Sequence, residues 1–177
     1  MGRDKAGVIV DGVALWQRQV ATLRRLVPAE LFISGREDGP YAGAGVEIVP
    51  DITPGRGPLS GLEAALCRSA QSLVLVLAID LPGMTSEFLS LLVSDAVSGE
   101  LGVVPRFEGW FEPLAAIYPK RGLPLVQECL RGEDLSMQAF VGRAIACGLV
   151  RAMEVVAADG ALFRNVNTPG DLASKPE

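Results

Sequence analysis

The chain contains no histidine, and this absence excludes a large set of enzyme mechanisms. Ser-His and Cys-His nucleophilic systems require that side chain, and so does every zinc site built on histidine. Any chemistry must therefore use carboxylates, Lys, Arg, backbone amides or a bound metal ion. Cysteine is scarce as well: Cys67, Cys129 and Cys147 lie far apart and form no C-x-x-C pattern, which predicts reduced, packed thiols.

Basic runs and long apolar runs are also missing. The formal net charge is −5 and no stretch is rich in Lys or Arg, which makes nucleic acid a poor candidate partner. No apolar run reaches the roughly 18–20 residues of a membrane span. We see no signal-peptide pattern and expect a cytoplasmic protein with no membrane partner. The 177 residues, 49% of them hydrophobic, predict one domain over residues 1–177.

The longest apolar run that is present covers residues 73–79 and leads directly into Asp80. A run of this length predicts a strand buried on both faces. Asp80 then stands at the carboxyl end of that strand, where open parallel sheets hold their ligands. A carboxylate in this position is suited to a metal ion on a phosphate. A helix cap or turn acid is the alternative.

Strand and helix patterns alternate through residue 97, which predicts an α/β protein with a parallel sheet. Helices are predicted near 14–27, 58–69, 85–97, 122–131 and 136–146. The segments 101–107 and 110–118 predict two strands joined at Glu108-Gly109, and we interpret them as an added antiparallel element.

Two acids follow neighbouring predicted strands, Asp51 after residues 46–49 and Asp80 after residues 73–79. Both strands end at the same edge of a parallel sheet, so the two carboxylates are expected on one side. Taken alone, Asp51 is equally compatible with a turn residue.

The glycine-rich segment 54–61 connects a strand to a helix that opens at Pro58. Free amides at such a helix start hold an anion or a base edge, and Gly61 allows close approach. The segment also admits a dinucleotide-binding interpretation, with Asp80 as the acid roughly 20 residues on. That match is poor, because three residues rather than two separate Gly57 from Gly61.

Several short motifs occur together in a fixed order along the chain. They are Met1-Gly2-Arg3-Asp4-Lys5, Gly57-Pro58-Leu59-Ser60-Gly61, Ala78-Ile79-Asp80-Leu81-Pro82, Glu112-Pro113-Leu114 and Asn165-Val166-Asn167-Thr168-Pro169-Gly170-Asp171-Leu172. In this order they resemble the molybdenum cofactor guanylyltransferase family. That family belongs to the nucleotidyltransferases with a three-layer, mostly parallel, Rossmann-like sheet of the nucleotide-diphospho-sugar transferase type. The resemblance covers nearly the whole chain.

The resemblance implies the transfer of GMP from GTP to the terminal phosphate of molybdenum-molybdopterin, with release of pyrophosphate. Lys5 and Asp80 would be catalytic: Lys5 would contact the nucleotide phosphates, and Asp80 would hold Mg²⁺ on GTP. Asp51 would bind the guanine nucleotide, and Ser34 is a more loosely aligned nucleotide-binding position.

The resemblance also implies a substrate-binding role for Gly57, Gly61, Asn165 and Asn167, which would line the cleft. The two asparagines flank one valine, so their amides share a side in extended chain; turn chemistry before Pro169 is the alternative. GTP and the molybdopterin cofactor are the implied partners, together with proteins that deliver and receive the cofactor.

One feature of the family has no counterpart here. Family members carry a first strand and a glycine-rich loop ahead of the motif that opens this chain. The missing strand belongs in the interior of the sheet, and its loss would leave backbone groups unpaired at roughly 1–3 kcal/mol for each buried group. We therefore expect that the natural product starts upstream. An intact mass equal to that of residues 1–177 would contradict this hypothesis.

Two alternatives stay open from the sequence alone. The first is a related transferase that uses another nucleotide, such as a cytidylyltransferase. The second is a non-catalytic nucleotide-binding domain, which the absent glycine loop favours.

Overall fold

The computed structural model describes residues 5–10, 12–41, 43–99 and 101–165. Its helices are α1 (Leu15–Arg24), α2 (Pro58–Arg68), α3 (Ser86–Gly99), α4 (Leu123–Arg131) and α5 (Met137–Ala146). Its strands are β1 (Ile9–Val10), β2 (Val13–Ala14), β3 (Phe32–Ser34), β4 (Glu47–Val49), β5 (Leu73–Leu77), β6 (Gly102–Phe107), β7 (Trp110–Phe111), β8 (Ala115–Pro119) and β9 (Val150–Glu154). Three 3-10 segments cover Lys5–Gly7, Lys120–Gly122 and Ala157–Phe163.

All five helices lie where the sequence predicts them, and the starts of α2, α3 and α5 show the chemistry that begins a helix. Pro58 occupies the first turn of α2, where its missing N–H costs nothing. Thr85 Oγ1 accepts a hydrogen bond from the Phe88 N–H at 3.3 Å and caps α3. Ser136 Oγ accepts from the Ala139 N–H and caps α5 in the same way.

The largest sheet has five strands, in the order β5-β8-β6-β7, with β9 also paired to β6. Because β8 runs antiparallel to both β5 and β6, and β9 runs parallel to β6, the strands β5, β6 and β9 share one direction. The prediction that residues 101–118 form an added element is wrong. The antiparallel strands β6 and β8 lie inside the sheet, and Val103, Val104, Ala115 and Ala116 are fully buried.

A second, parallel pair is formed by β3 and β4, in register Phe32↔Glu47 to Ser34↔Val49. Within the described residues, no strand pairing joins this pair to β5. The prediction of a strand buried on both faces over residues 73–79 is therefore only partly right. Val74 is buried, whereas Leu73, Leu75, Val76 and Leu77 stay partly exposed because an open edge runs along β5.

Helices cover both faces of the sheet and give three layers. The core on one face is contributed by α2, α4 and α5, with Leu66, Val126 and Val141 among its buried side chains. The core on the opposite face is contributed mainly by α3, through Leu89 and Leu92. None of the described helices is both long enough and apolar enough to cross a bilayer.

Candidate functional site

A cavity of about 1040 Å³ opens between β3 and β5. Helices α1 and α3 line it on one face of the sheet, and α2 lines it on the other. Ser34, Gly61 and Asp80 share this cavity, so three of the residues predicted from the sequence lie together at the carboxyl ends of β3 and β5. This is the sheet edge at which α/β proteins bind ligands.

The turn that carries Asp80 is fixed by a buried glutamine. Gln19 Nε2 donates to the Ala78 carbonyl at 3.1 Å and to the Leu81 carbonyl at 2.7 Å, on either side of Asp80. Gln19 lies on α1 and is only 3% exposed. Because both acceptors are backbone carbonyls, the glutamine holds the backbone of the turn while the partly exposed Asp80 side chain lines the cavity.

Asp51 follows β4 and lies close to a second carboxylate. Partial desolvation raises the pKa of Asp51, and the negative charge of Glu63 raises it further. Glu63 lies on α2 and is only 4% exposed, and its Oε2 has no hydrogen-bond partner among the described residues. The pair is a concentrated negative charge with open acceptor capacity, which suits a ligand that donates N–H groups.

The loop before α2 combines an unusual backbone conformation with close packing. Gly57 is the N-cap, at φ 68° and ψ −155°, a region that is strained for residues with a Cβ. One turn later, a Cβ at Gly61 would lie 2.9 Å from Ser34 Oγ and 4.0 Å from Asp51 Oδ1. Glycine therefore lets the ends of β3 and β4 approach α2 closely and leaves room beside both side chains.

An arginine holds this loop against the C-terminal end of α4. Arg56 Nη2 donates to the Leu130 carbonyl at 2.7 Å and to the Gly132 carbonyl at 3.1 Å. These acceptors lie at the C-terminal end of α4, where carbonyls lack helical partners. Arg56 therefore satisfies helix-end carbonyls and fixes the start of α2.

Lys5, Asn165 and Asn167 are the other residues predicted from the sequence. Lys5 begins the first 3-10 segment, whose Ala6 is buried against Trp16 and Val20. Asn165 is exposed after the last 3-10 segment. Asn167 lies outside the described residues. The roles of all the site residues expected from the sequence stay predictions.

Sequence reasoning missed several residues that shape the cavity. Tyr41 lines the wall near Ser34 and stacks edge-on against Trp16, with ring centroids 6.0 Å apart. Gln19 and Glu63 are polar residues on helix faces that are otherwise buried. A polar side chain within an apolar helical stripe was the signal that could have identified both.

The oxygen ligands present fit a magnesium ion that a nucleotide shares. No group of three or more metal-ligating side chains occurs within the described ranges. Mg²⁺ is commonly held by one or two carboxylates, with waters and substrate phosphates completing its shell. Asp80 lines the cavity as such a carboxylate, so the donor set suits an ion that arrives with a phosphate ligand.

Comparison with known proteins identifies the family of this chain. The model of the MobA-like NTP transferase domain matches residues 1–162. The chain belongs to the MobA-like NTP transferase family. One relative from Opitutus terrae, named a probable molybdenum cofactor guanylyltransferase, is 35% identical over 97% of this chain and 86% of its own length. A relative from Rhizobium meliloti, named a molybdenum cofactor guanylyltransferase, is 29% identical over 97% of this chain and 83% of its own length.

Solved structures show the same fold. Molybdopterin-guanine dinucleotide biosynthesis protein A from Archaeoglobus fulgidus aligns with a TM-score of 0.77 at 22% identity, over 97% of this chain and 88% of that one. A 2-C-methyl-D-erythritol 4-phosphate cytidylyltransferase from Thermus thermophilus aligns with a TM-score of 0.71 at 18% identity, over 96% and 90%. The family match and the named relatives make this MobA-like chain a nucleotidyltransferase, and the solved structures agree with its α/β fold.

Proposed function

We propose that this chain transfers GMP from GTP to the terminal phosphate of molybdenum-molybdopterin and releases pyrophosphate. The observation that carries the proposal is the convergence of Ser34, Gly61 and Asp80 on one cavity in a MobA-like domain, with Asp51 beside Gly61. The chain is similar along nearly its whole length to relatives that bear the guanylyltransferase name.

The reaction needs no protein nucleophile, which agrees with the absence of histidine. A phosphate oxygen of the pterin substrate attacks the α-phosphorus of GTP, a new P–O bond forms, and the bond to the leaving pyrophosphate breaks. Such a transfer depends on alignment and on neutralising charge. A bound Mg²⁺ would supply that neutralisation at the phosphates.

In this proposal the role of each protein group follows from its position in the fold. Asp80 holds the ion, and Lys5 contacts the phosphates. Asp51 and Ser34 bind the nucleotide at the ends of β4 and β3. A guanine base carries N–H donors on its Watson–Crick edge, and carboxylate oxygens are acceptors only. The negative charge around Asp51 therefore favours a donor-rich base.

The proposed substrate set also includes the cleft positions Gly57, Gly61, Asn165 and Asn167. The start of α2, which Gly57 caps without a side-chain hydrogen bond, is a helix N-terminus and suits an anionic group. Proteins that deliver the pterin and receive the finished dinucleotide belong to the same proposal as partners.

The test compares GTP with CTP as substrates, and the parent chain with a variant that lacks one carboxylate. The protein is incubated with molybdopterin cofactor, Mg²⁺ and either GTP or CTP, and the products are measured as pyrophosphate and as the dinucleotide mass. We expect product with GTP, and Asp80→Asn should abolish it while leaving the circular dichroism spectrum unchanged. The matched control is Asp134→Asn, an exposed acid in the α4–α5 connection, which should keep full turnover.

Two outcomes would reject the proposal. Product with CTP only would make the chain a cytidylyltransferase. GTP binding in calorimetry without pyrophosphate release would make it a non-catalytic nucleotide-binding domain. Undiminished turnover by Asp80→Asn would reject the metal assignment alone.

A further inference from the structure

A second cavity lies at the same end of the sheet as Asp80, next to the carboxyl ends of β6 and β9. Its volume is about 440 Å³, within the range of roughly 300–1,000 Å³ that small-molecule sites occupy. Its walls come from the β6–β7 turn, from the segment ahead of β8 and from the 3-10 segment Ala157–Phe163. None of the described residues that the sequence predicts for the site lines this second cavity.

Two contacts join the second cavity to the turn that carries Asp80. The Ala78 N–H donates to the Leu114 carbonyl at 2.7 Å, so the segment that contains Glu112 runs beside the end of β5 that leads to Asp80. A Cβ at Gly83 would lie 3.1 Å from a carbonyl oxygen of the 3-10 segment, which shows that the turn packs directly on this wall. A ligand in the second cavity therefore lies next to the carboxylate proposed to hold the ion.

Glu112 supplies a partly buried carboxylate to the second cavity. Its backbone is fixed, because its N–H donates to the Pro105 carbonyl at 2.8 Å and its carbonyl accepts from the Ala115 N–H at 3.2 Å. Partial burial raises the pKa of the Glu112 carboxyl, and no described cation or hydrogen bond offsets that effect. A carboxylate that loses water without gaining a partner is costly. Its open acceptor positions therefore suit a ligand that donates N–H groups.

Two phenylalanine rings line the same cavity and are held in place by packing. The Phe107 ring lies directly against Gly160, where a Cβ would overlap the ring. Phe163 is buried and packs edge-on against Phe88 of α3, with ring centroids 5.4 Å apart. Trp110, the cross-strand partner of Phe107, is 68% exposed. Aromatic walls of this kind suit a flat ring.

A positive charge lines the cavity as well. Arg164 is exposed and follows the 3-10 segment, and its guanidinium donates N–H groups to anions such as phosphate. The cavity thus combines an acceptor for N–H donors, aromatic walls and a group that binds an anion. A pterin that carries a phosphate matches this combination, because its 2-amino group and ring N3–H are neighbouring donors on a flat ring.

We propose that the second cavity binds the ring of the pterin acceptor and that Glu112 is the residue that recognises it. The Glu112 carboxylate accepts hydrogen bonds from the 2-amino group and from N3–H. Phe107 and Phe163 pack against the ring, and Arg164 contacts an anionic substituent. This inference rests on the function proposed above, because that function makes the acceptor a pterin.

Guanine presents the same pair of N–H donors, so the position of the cavity decides between the two rings. One edge of β5 pairs with β8, and the other edge borders the cavity shared with β3. Ser34 and Asp51 follow β3 and β4 on that other side, whereas Glu112 lies on the β8 side. Asp80 stands between them. Because the attacking phosphate must lie in line with the bond that breaks, a nucleotide on one side and the pterin on the other both reach the ion at Asp80.

The test measures the binding of pterin and of lumazine at pH 7 without nucleotide, by the fluorescence of the two compounds. Lumazine is the matched control ligand, because a carbonyl replaces the 2-amino group on the same ring system. The parent chain should bind pterin at least about tenfold more tightly, since the carbonyl of lumazine meets the carboxylate where a donor is needed. Glu112→Gln should bring the two Kd values within about twofold of each other, because its amide offers a donor as well as an acceptor.

Matched variants test the cavity from the protein side. Glu108→Gln removes an exposed charge from the same cavity and should leave the preference for pterin unchanged. Ala157 lines the cavity and its neighbour Ala158 does not, and both are exposed, so a larger side chain at either position should keep the fold. Ala157→Trp should weaken pterin binding, and Ala158→Trp should leave it unchanged.

Three outcomes contradict the proposal. Equal affinity for pterin and lumazine, or no pterin binding by the folded parent, would reject the pterin site. An unchanged preference in Glu112→Gln, or an equal loss in Glu108→Gln, would reject Glu112 as the residue that recognises the ring. Displacement of pterin by GTP would place guanine in the second cavity instead. A parent chain that forms the dinucleotide but fails these tests would keep the proposed function and lose only this inference.

Discussion

Replacement of Gln19 by methionine tests how the Asp80 turn is held. The side chains are similar in length, so the change removes hydrogen bonding and leaves the packing volume nearly constant. Gln19 Nε2 donates to the carbonyls of Ala78 and Leu81, and the side chain is buried. Each carbonyl that loses its partner in a buried setting costs about 1–3 kcal/mol.

One term opposes this loss. Gln19 Oε1 is itself buried with no hydrogen-bond partner among the described residues, so its removal returns about 1–3 kcal/mol. Two carbonyls lose their donor and one unpaired side-chain oxygen is removed, so the free energy of unfolding should decrease by about 1–3 kcal/mol in total. For a chain of this size each kcal/mol lowers the melting temperature by roughly 2–4 °C.

The measurement is urea unfolding at pH 7, followed by circular dichroism, with Gln17→Met as the matched control. Gln17 lies on the same helix but is exposed, and its Oε1 accepts a bond from the Ala14 N–H at 3.3 Å. The control should change stability by no more than about 0.5 kcal/mol. Equal stability of Gln19→Met and Gln17→Met would refute the reasoning, because the two carbonyls would then have other partners.

Three further predictions concern the cavity and its support. Gly61→Ala should weaken GTP binding in calorimetry, since the new Cβ meets Ser34 Oγ at 2.9 Å and displaces it; an unchanged affinity would contradict this. Tyr118→Phe should lower the free energy of unfolding, measured with urea, by about 1–2 kcal/mol, because the buried hydroxyl donates to the Pro113 carbonyl at 2.8 Å. A smaller loss would mean that water takes the place of the hydroxyl as donor. Because the pKa of Asp51 is raised, the folded protein loses stability as pH rises through that pKa. Asp51→Asn should therefore be more stable than the parent at pH 7 and equally stable below pH 3. A parent that is more stable than Asp51→Asn at pH 7 would reject the raised pKa.

Most of the local structure could be predicted from the sequence because it rests on local chemistry. Pro58 and the apolar spacing after it fix α2. The same holds for part of the site: an acid after a buried strand and a glycine-rich helix start are local patterns. Asp80 and Gly61 were found in this way, and the cavity joins them.

Other features could not be predicted because they depend on partners distant in sequence. A strand added to a sheet and a strand inside a sheet can both be apolar, as β8 is. Apolar periodicity alone therefore does not show which of these two positions β8 occupies. Gln19 is an ordinary helical residue until the fold brings Ala78 and Leu81 to it, 59 and 62 positions away. Glu63 is likewise an ordinary helical residue in the sequence, and only the fold brings its carboxylate close to Asp51.

The sequence by itself determined the class of chemistry, the helices and the edge of the sheet that holds the acids. Without histidine it excluded whole mechanisms, and its ordered motifs indicated a nucleotide-transferring domain. Only the tertiary structure decided which strands are neighbours, because strand pairing is set by long-range packing and not by local preference. Among the described strands, that packing leaves β5, the most apolar of them, paired on one edge and open on the other.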